Sequence, residues 1–269
     1  MIALEDNFAD VLGKALRGQH LTAAAVGRKS GLAEKDIANL LAGEFEEKSA
    51  RVLAGALHLS PEALVRLARG EHVPAVDCPA SVVVITTPFD GMTVNAYILW
   101  DRENRAAAIF DTGADAAPLL AAVVRLELDV AAIFLTHSHA DHVQALSALQ
   151  RRLGVDAWSS ESEPVRGTKN FRPGDLFSAG RYFIRTRLTP GHSPGGTTFV
   201  IEGPVLTAAI VGDALFAGSV GGVREDYDAT LATIRREILS LPDNTILCPG
   251  HGPLTTVGLE KAGNPFFAA

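Results

Sequence analysis

Apolar residues recur at helical spacing in the first part of the chain and at strand spacing in the rest, with the change near residue 72. Between Asn7 and Gly70 they return every three or four positions, which is the period of an amphipathic helix. Ser60-Pro61 is typical of a helix start, because serine caps free backbone N–H groups and proline suits the first turn. We therefore predict an all-α domain over residues 1–72 and a linker over residues 73–80, which contains two prolines.

Residues 81–269 alternate short β-rich runs with helical stretches, which is typical of an α/β layered domain. Most of the runs are bounded by Gly, Pro or Asp. Predicted strands cover Ser81–Thr87, Val94–Trp100, Ala106–Phe110, Val130–Leu135, Tyr182–Leu188, Thr197–Ile201 and Val205–Val211. Predicted helices cover Ala116–Leu128, His142–Leu153 and Tyr227–Leu241. The sequence thus predicts two domains of different class.

Composition and charge narrow the class of protein. The 269 residues are 47% hydrophobic and 20% charged, as in a folded globular protein. The formal net charge of −7 argues against a non-specific nucleic-acid binder. No apolar run reaches the ~18 residues that a membrane span needs, and the acidic first residues do not resemble a secretory signal. Two cysteines are too few for a disulfide framework, so we expect a cytoplasmic protein.

Three histidines and an aspartate fall within six residues directly after the predicted strand Val130–Leu135. The segment reads Thr136-His137-Ser138-His139-Ala140-Asp141-His142. Imidazole and carboxylate together suit Zn, Fe or Mn, and a buried strand holds such a loop in place. Three later loops each place one ligand-type side chain beside glycine or proline, namely His192, Asp213 and His251. We expect these four loops to form one metal-binding cleft.

The pattern His137-x-His139-x-Asp141-His142, followed by His192, Asp213 and His251, resembles the metallo-β-lactamase superfamily. The resemblance covers residues 81–269 and implies an αββα sandwich with the metal site at one edge, between the two sheets. It implies that His137, His139 and His192 hold one metal ion, that Asp141, His142 and His251 hold a second, and that Asp213 bridges them. It also implies that Asp111 orients the ligand loop without binding metal itself.

The resemblance implies two divalent metal ions as cofactors, with zinc expected first and iron or manganese as alternatives. Two bridged cations would depress the pKa of a shared water, so we expect a metal-bridging hydroxide to attack the substrate. Asp141 is the candidate catalytic residue, either as a proton shuttle to the leaving group or as a ligand only. No side-chain nucleophile is required.

Two segments resemble the glyoxalase II-like branch of the superfamily, one from Asp213 to Gly221 and one from Cys248 to Gly258. This likeness implies a hydrolase whose small-molecule substrate is a thioester or another acyl compound. Glutathione specificity is not implied, because Gly222 stands where that branch has a basic residue. Arg224 and Tyr227 follow this loop and are candidate substrate-binding residues.

A second interpretation is a persulfide dioxygenase, an iron enzyme that resembles glyoxalase II. It would bind a single iron through the residues matching His137, His192 and Asp213. The segment after Asp213 reads Ser219-Val220-Gly221-Gly222-Val223, which departs from the Cys-Gly-Arg-Thr-Asp run of that enzyme. The departure favours the hydrolase.

Residues 21–64 resemble the Cro/repressor-type helix-turn-helix domain, with a turn at Gly31 and a second helix from about Ala33 to Ala42. This implies a third interpretation, a metabolite-responsive regulator that binds DNA through that helix. However, residues 1–72 carry nine Lys or Arg against ten Asp or Glu, so they lack a basic surface. We therefore expect no nucleic-acid partner. We expect these helices to form a homodimer or to cover the active-site cleft.

Overall fold

The computed structural model describes residues 3–223 and 226–268. The first part of the chain is helical, and the second part alternates strands with helices. The first part contains α1 (Phe8–Gly18), α2 (Ala23–Ser30), α3 (Glu34–Leu41), α4 (Glu47–Ala56) and α5 (Pro61–Ala68). The second part contains β1 (Val82–Phe89), β2 (Met92–Trp100), β3 (Ala106–Phe110), α6 (Ala116–Arg125), β4 (Asp129–Phe134), α7 (Ala140–Val143), α8 (Leu146–Leu153), β5 (Asp156–Ser160), β6 (Lys169–Phe171), β7 (Leu176–Ala179), β8 (Tyr182–Leu188), β9 (Thr197–Glu202), β10 (Thr207–Gly212), β11 (Leu215–Phe216), β12 (Ser219–Val220), α9 (Tyr227–Glu237), β13 (Ile246–Pro249), β14 (Thr255–Thr256) and α10 (Val257–Gly263). The predicted α/β class with a helical first part is confirmed.

Helices α1, α2, α4 and α5 begin at capping side chains, whereas α3 follows Ala33, which offers none. Asn7 accepts hydrogen bonds from two backbone N–H groups at the start of α1. Thr22 and Ser60 cap α2 and α5 in the same way. Gly31 ends α2 in the left-handed conformation, at a φ of 78°, which glycine adopts without strain. Local sequence therefore fixes the limits of these helices.

Two sheets form the second part of the chain. The strand order is β1-β2-β3-β4-β5-β6 in the first sheet and β14-β13-β10-β9-β8-β7 in the second. Strands β3 and β4 are parallel, as are β10 and β13. Strand β8 has the same direction as β10, because both are antiparallel to β9. Parallel strands end at the same edge of a sheet, so the loops that follow them lie close together.

The two sheets pack face to face, because successive side chains of a strand point to opposite faces. On β9, Phe199 lies in the hydrophobic cluster between the sheets, whereas Val200 lies in the cluster on the outer face. On β3, Phe110 faces the space between the sheets and Ile109 faces outward. The space between the sheets is filled at its centre by the aromatic rings of four residues, Phe110, Phe134, Phe171 and Phe199. The centroids of neighbouring rings are 5.3 to 5.6 Å apart.

Helices cover the outer faces of both sheets. Leu119 of α6 and Leu149 of α8 are fully buried in the cluster on the first sheet. Ile234 of α9 and Val257 of α10 lie in the cluster on the second sheet. The layers are therefore helix, sheet, sheet and helix, as the resemblance to the metallo-β-lactamase superfamily implied.

The N-terminal helices share one hydrophobic cluster with the outer face of the second sheet. Leu12 of α1 lies in the same cluster as Leu231 of α9 and Leu247 of β13. The ammonium group of Lys14 donates a hydrogen bond of 2.8 Å to the carbonyl of Val220 in β12. The helices therefore pack directly on the layer that contains α9.

The predicted helix His142–Leu153 is wrong in one respect, because the structure divides it into α7 and α8. The backbone N–H and the hydroxyl of Thr112 both donate to the His142 carbonyl, each at 2.8 Å. The N–H of Ala145 donates to the carbonyl of Gly113 at 3.3 Å. Bonds to the loop after β3 thus replace the helical pattern between α7 and α8.

None of the helices within residues 3–223 and 226–268 combines the length and apolar character that a bilayer crossing requires. Residues 71–79, which include most of the predicted linker, contain neither helix nor strand.

Candidate metal centre

Five loops that follow the carboxyl ends of strands meet at one edge of the sandwich. Asp111 follows β3, the segment 136–142 follows β4, His192 follows β8, Asp213 follows β10 and His251 follows β13. The strand directions described above explain this convergence within each sheet. The structure describes all seven residues that the sequence predicted as metal ligands. They fall into two adjoining groups.

The first group consists of His137, His139, His192 and Asp213, whose candidate ligand atoms all lie within 4.8 Å of one another. The Nδ1 atom of His139 is 3.0 Å from His137 Nε2 and 2.9 Å from His192 Nε2. Three ring nitrogens that face one another cannot all be satisfied by hydrogen bonds, because a neutral imidazole has one donor and one acceptor. A shared cation would satisfy all three.

The second group consists of Asp141, His142 and His251. Asp141 Oδ2 lies 3.2 Å from His251 Nε2 and 3.5 Å from His142 Nε2. Asp213 borders this group as well: its Oδ1 is 3.3 Å from His142 Nε2 and its Oδ2 is 3.4 Å from His251 Nε2. Asp213 Oδ2 is also 3.4 Å from His192 Nε2 of the first group. One carboxylate therefore stands between the two groups.

The residues fit two divalent metal ions. His142 Nε2 and Asp213 Oδ1 are buried and lie 3.3 Å apart, and neither atom makes a hydrogen bond within residues 3–223 and 226–268. A buried polar atom without a partner destabilises a protein, so such a pair of atoms indicates a site built for a ligand. Imidazole nitrogens with carboxylate oxygens are the donor set of Zn, Fe and Mn.

The electrostatics differ between the two ligand groups. In the second group, burial alone would lower the pKa of His142 and His251, but the neighbouring carboxylates raise it, well above its usual value for His142 and to about 10 for His251. Burial, together with the neighbouring His142, holds the pKa of His137 well below its usual value. Burial alone would raise the pKa of Asp213, but the positive charge on His142 and the hydrogen bond from His251 hold it well below its usual range. Because neutral imidazole and ionised carboxylate are the forms that coordinate a metal ion, a cation in the second group would take the place of the protons on His142 and His251.

Backbone carbonyls orient two of the histidine rings from behind. His192 Nδ1 lies 3.1 Å from the carbonyl oxygen of Gly222. His251 Nδ1 lies 2.7 Å from the carbonyl oxygen of Thr93. Each contact fixes the ring and leaves Nε2 free to face the site.

Asp111 supports the first ligand loop and one ligand of the second group. Its Oδ1 accepts the backbone N–H of Thr136 at 2.7 Å, and its Oδ2 accepts the Thr136 hydroxyl at 2.8 Å. Its Oδ2 also lies 2.8 Å from His142 Nδ1. Asp111 has a φ of 56°, in the left-handed region that non-glycine residues rarely adopt. In this strained conformation Asp111 contacts both Thr136, at the start of the ligand loop, and His142, at its end.

A hollow of about 430 Å³ opens beside the first group. Its lining includes two candidate ligands and is formed by Ser138, His139, Glu163, Pro190, Gly191, His192, Ser193 and Pro194. A small molecule can therefore approach the first group from solvent.

Comparison with known sequences decides the family. The sequence model of the metallo-beta-lactamase superfamily matches residues 89–251, a span that contains Asp111 and all seven candidate ligands. The chain belongs to the metallo-beta-lactamase superfamily. Within it, hydroxyacylglutathione hydrolase GloC of Haemophilus influenzae is 33% identical over 204 residues, which cover 66% of this chain and 95% of that protein.

Other members of the superfamily are similar at nearly the same level. Mitochondrial persulfide dioxygenase ETHE1 of Homo sapiens is 31% identical over 181 residues, which cover 63% of this chain and 69% of that protein. The crystal structure of TTHA1623 in a di-iron-bound form is 30% identical, with a TM-score of 0.56, and the match covers 68% of this chain and all of that one. These similarities establish a member of a metal-binding superfamily, and its relatives include both a hydrolase and a dioxygenase.

Replacing Asp111 with asparagine is expected to weaken metal binding by roughly 10–100-fold, the usual cost of losing a partner behind a metal ligand. Asparagine has one acceptor oxygen where Asp111 uses both, so Thr136 or His142 loses its partner. Competition titration with a chromogenic chelator measures the affinity. The matched control is Asp115→Asn at the exposed start of α6, where an amide oxygen can also accept the cap hydrogen bond from Ala117. Equal affinities in the two variants would contradict this role of Asp111.

Tyr227, one of the two candidate substrate-binding residues, does not belong to either ligand group. Tyr227 is buried at the start of α9, and its ring packs against Gly18 of α1. It lines a separate groove of about 680 Å³ between the N-terminal helices and α9. Arg224 lies outside the described residues. Substrate binding by either residue stays a prediction.

Sequence reasoning missed some residues that support the site. Asn95 donates to the carbonyls of Pro249 and Gly252 through its side-chain amide, at 3.1 and 2.8 Å, and so secures the turn that carries His251. Glu163 contacts two ligand loops. Neither residue belongs to a local motif, and only the packing of distant segments brings them to the metal centre.

Proposed function

We propose that this protein is a metal-dependent hydrolase of the glyoxalase II-like type, acting on a thioester or another acyl bond of a small molecule. The observation that carries the proposal is the connection of the two ligand groups through Asp213, beside a hollow open to solvent. The similarity to hydroxyacylglutathione hydrolase GloC supports this choice of reaction. The free thiols of Cys78 and Cys248 fit a reducing cytoplasm.

Two divalent ions, zinc in the first instance, would supply Lewis acidity and activate water at neutral pH. Side chains of this protein would hold the two ions in place. His137, His139 and His192 would hold one ion, while Asp141, His142 and His251 would hold the other, with Asp213 shared. The Asp141 side chain is 13% exposed, so its carboxylate can take a proton from the reacting water and return it to the leaving group.

A serine nucleophile does not fit the geometry, although Gly191-His192-Ser193-Pro194-Gly195 spells a Gly-x-Ser-x-Gly motif. In a nucleophile elbow the serine stands between a strand and a helix, whereas Ser193 is followed by strand β9. Its hydroxyl donates to Glu163 at 2.7 Å, and no histidine in the described part of the chain accepts its proton. This favours activated water as the nucleophile.

The test uses the full chain loaded separately with zinc, iron(II) or manganese. A hydroxyacylglutathione thioester and a neutral N-acetylcysteamine thioester are assayed for thiol release. We expect hydrolysis of at least one thioester with a kcat/KM of about 10⁴ M⁻¹s⁻¹ or more, the lower end for enzymes. His139→Ala is the control, because it removes a ligand of the first group and should abolish this activity. Absence of thiol release in all three metal forms would overturn the proposal.

A persulfide dioxygenase is the second candidate, favoured by the similarity to human ETHE1 and by a first group that offers two histidines and Asp213 to a single iron. The same iron-loaded protein is tested for oxygen uptake with glutathione persulfide. Oxygen uptake without thioester hydrolysis would replace the hydrolase with this function.

We infer that the N-terminal helices serve the enzyme and not DNA. The helix that would enter the major groove, α3, exposes Glu34 and Asp36. Glu44 and Glu46 border the adjoining groove of about 500 Å³. Carboxylates on this face would repel the phosphate backbone. Packing of α1 against the layer with α9 supports a role next to the active site.

A further inference from the structure

The carboxylate of Glu163 joins two of the ligand loops. Glu163 lies in the connection between β5 and β6, outside the four segments that carry the candidate ligands. Its Oε1 accepts the backbone N–H of Ser138 at 2.9 Å and also the Ser138 hydroxyl. Its Oε2 accepts the Ser193 hydroxyl and the backbone N–H of Gly195, both at 2.7 Å. One side chain therefore accepts four hydrogen bonds, two from each loop.

These two loops supply every histidine of the first ligand group. Ser138 separates His137 from His139, and Ser193 directly follows His192. The segment 136–142 comes from the first sheet, whereas the His192 loop comes from the second. The distance between the loops decides whether the three ring nitrogens can meet.

The contact between Glu163 and the His192 loop is close. A Cβ atom added to Gly195 would lie 2.3 Å from the Cβ of Glu163 and 2.9 Å from its backbone nitrogen. Only glycine allows this approach without a backbone shift. Burial alone would raise the pKa of Glu163, but the hydrogen bonds from Ser138, Ser193 and Gly195 hold it below its usual value. The carboxylate is therefore ionised, the form in which it accepts all four bonds.

The second ligand group has different supports. His142 contacts Asp111, and His251 contacts the carbonyl of Thr93. Of the Glu163 contacts described here, none reaches the 140–142 end of the ligand loop or the His251 turn. A change at Glu163 should therefore act on one group of ligands and spare the other.

We propose that Glu163 is a positioning residue that sets the spacing of the His137–His139 segment and the His192 loop, and so determines the metal affinity of the first group. Hydrogen bonds to an ionised acceptor are about twice as strong as neutral ones, so four of them hold the loops firmly. Loss of such a support behind metal ligands typically lowers affinity by roughly 10–100-fold.

The test measures each ligand group separately. His251→Ala disables the second group, so one-metal titrations in that background report on the first group. His139→Ala disables the first group and reports on the second. Cobalt(II) is the probe, because its visible absorption reports coordination and a competing chelator gives the Kd. Glu163→Ala and Glu163→Gln are introduced into both backgrounds.

In the His251→Ala background, we expect Glu163→Ala to raise the Kd for cobalt roughly 10–100-fold. Glu163→Gln should raise it less, because the amide oxygen still accepts from Ser138 while the N–H of Gly195 loses its acceptor. In the His139→Ala background, both substitutions should change the Kd less than about twofold. The matched control is Glu161→Ala, which removes an exposed carboxylate on the same connection that pairs with Arg172, and it should alter neither Kd.

Thermal unfolding of the metal-free variants separates positioning from folding. If Glu163→Ala does not fold, the cobalt Kd is measured in both backgrounds with Glu163→Gln and Ser138→Ala instead. A Kd change confined to the first group, with metal-free unfolding temperatures that match the parent, supports the proposal. An unchanged Kd in the His251→Ala background, or equal changes in both backgrounds, would overturn it.

Discussion

Substituting asparagine for Asp213 is expected to lower metal affinity in both ligand groups and to reduce hydrolysis about a thousandfold. The two oxygens of this carboxylate face His142 of the second group and His192 of the first, at 3.3 and 3.4 Å. Asparagine has the same shape but no charge, and its amide N–H group would point at one of the cations. A loss of about 4 kcal/mol of charge stabilisation corresponds to about a thousandfold in rate.

Metal content by elemental analysis and kcat/KM on the best thioester check this prediction. The matched control is Asp243→Asn, the same substitution at an exposed aspartate that pairs with Lys261. That variant should retain both metal ions and full activity. If Asp213→Asn also retained two ions per chain, Asp213 would not be the shared ligand.

Removing the metal ions with a chelator is expected to lower the unfolding temperature by roughly 8–16 °C. A ligand present at 1,000 times its Kd stabilises the folded state by about 4 kcal/mol, and each kcal/mol corresponds to roughly 2–4 °C for a domain of this size. The physical reason is the set of buried, unpartnered atoms, His142 Nε2 and Asp213 Oδ1, that metal binding would satisfy.

Differential scanning calorimetry before and after chelation measures this shift. Re-addition of zinc, iron(II) or manganese in separate samples should restore the original unfolding temperature with the metal that the site prefers. The Asp213→Asn variant is the control, because it should respond little to the chelator. An unchanged unfolding temperature in the parent protein would mean that the site binds no structural metal.

The sequence alone indicated the candidate ligands because they are concentrated in short segments directly after strands, and the structure brings all seven of them together. His137, His139, Asp141 and His142 lie in one such segment, and their spacing is visible without a structure. The two-sheet sandwich followed from the family resemblance, and its strands β3, β8 and β10 were predicted from short β-rich runs. The comparisons confirm the superfamily that these motifs indicated.

Several features of the site and the fold could not be predicted from the sequence, and most of them depend on contacts between distant segments. Glu163 resembles an ordinary polar loop residue until two other loops fold against it. The break between α7 and α8 arises because Thr112, from another loop, takes the carbonyl of His142. The strands β6 and β7 have only three and four residues and expose two residues each, so they are too short to show an alternating apolar pattern.

The cluster shared by the N-terminal helices and the second sheet has a consequence for solubility. Leu215, Leu231 and Leu247 lie in that cluster with residues of α1 to α5. If residues 81–268 were produced alone, the side of this cluster that the helices now cover would face water. Large contiguous apolar surfaces cause proteins to associate. A shortened version for biochemical work would therefore aggregate unless polar residues replaced the uncovered ones, even with every metal ligand intact.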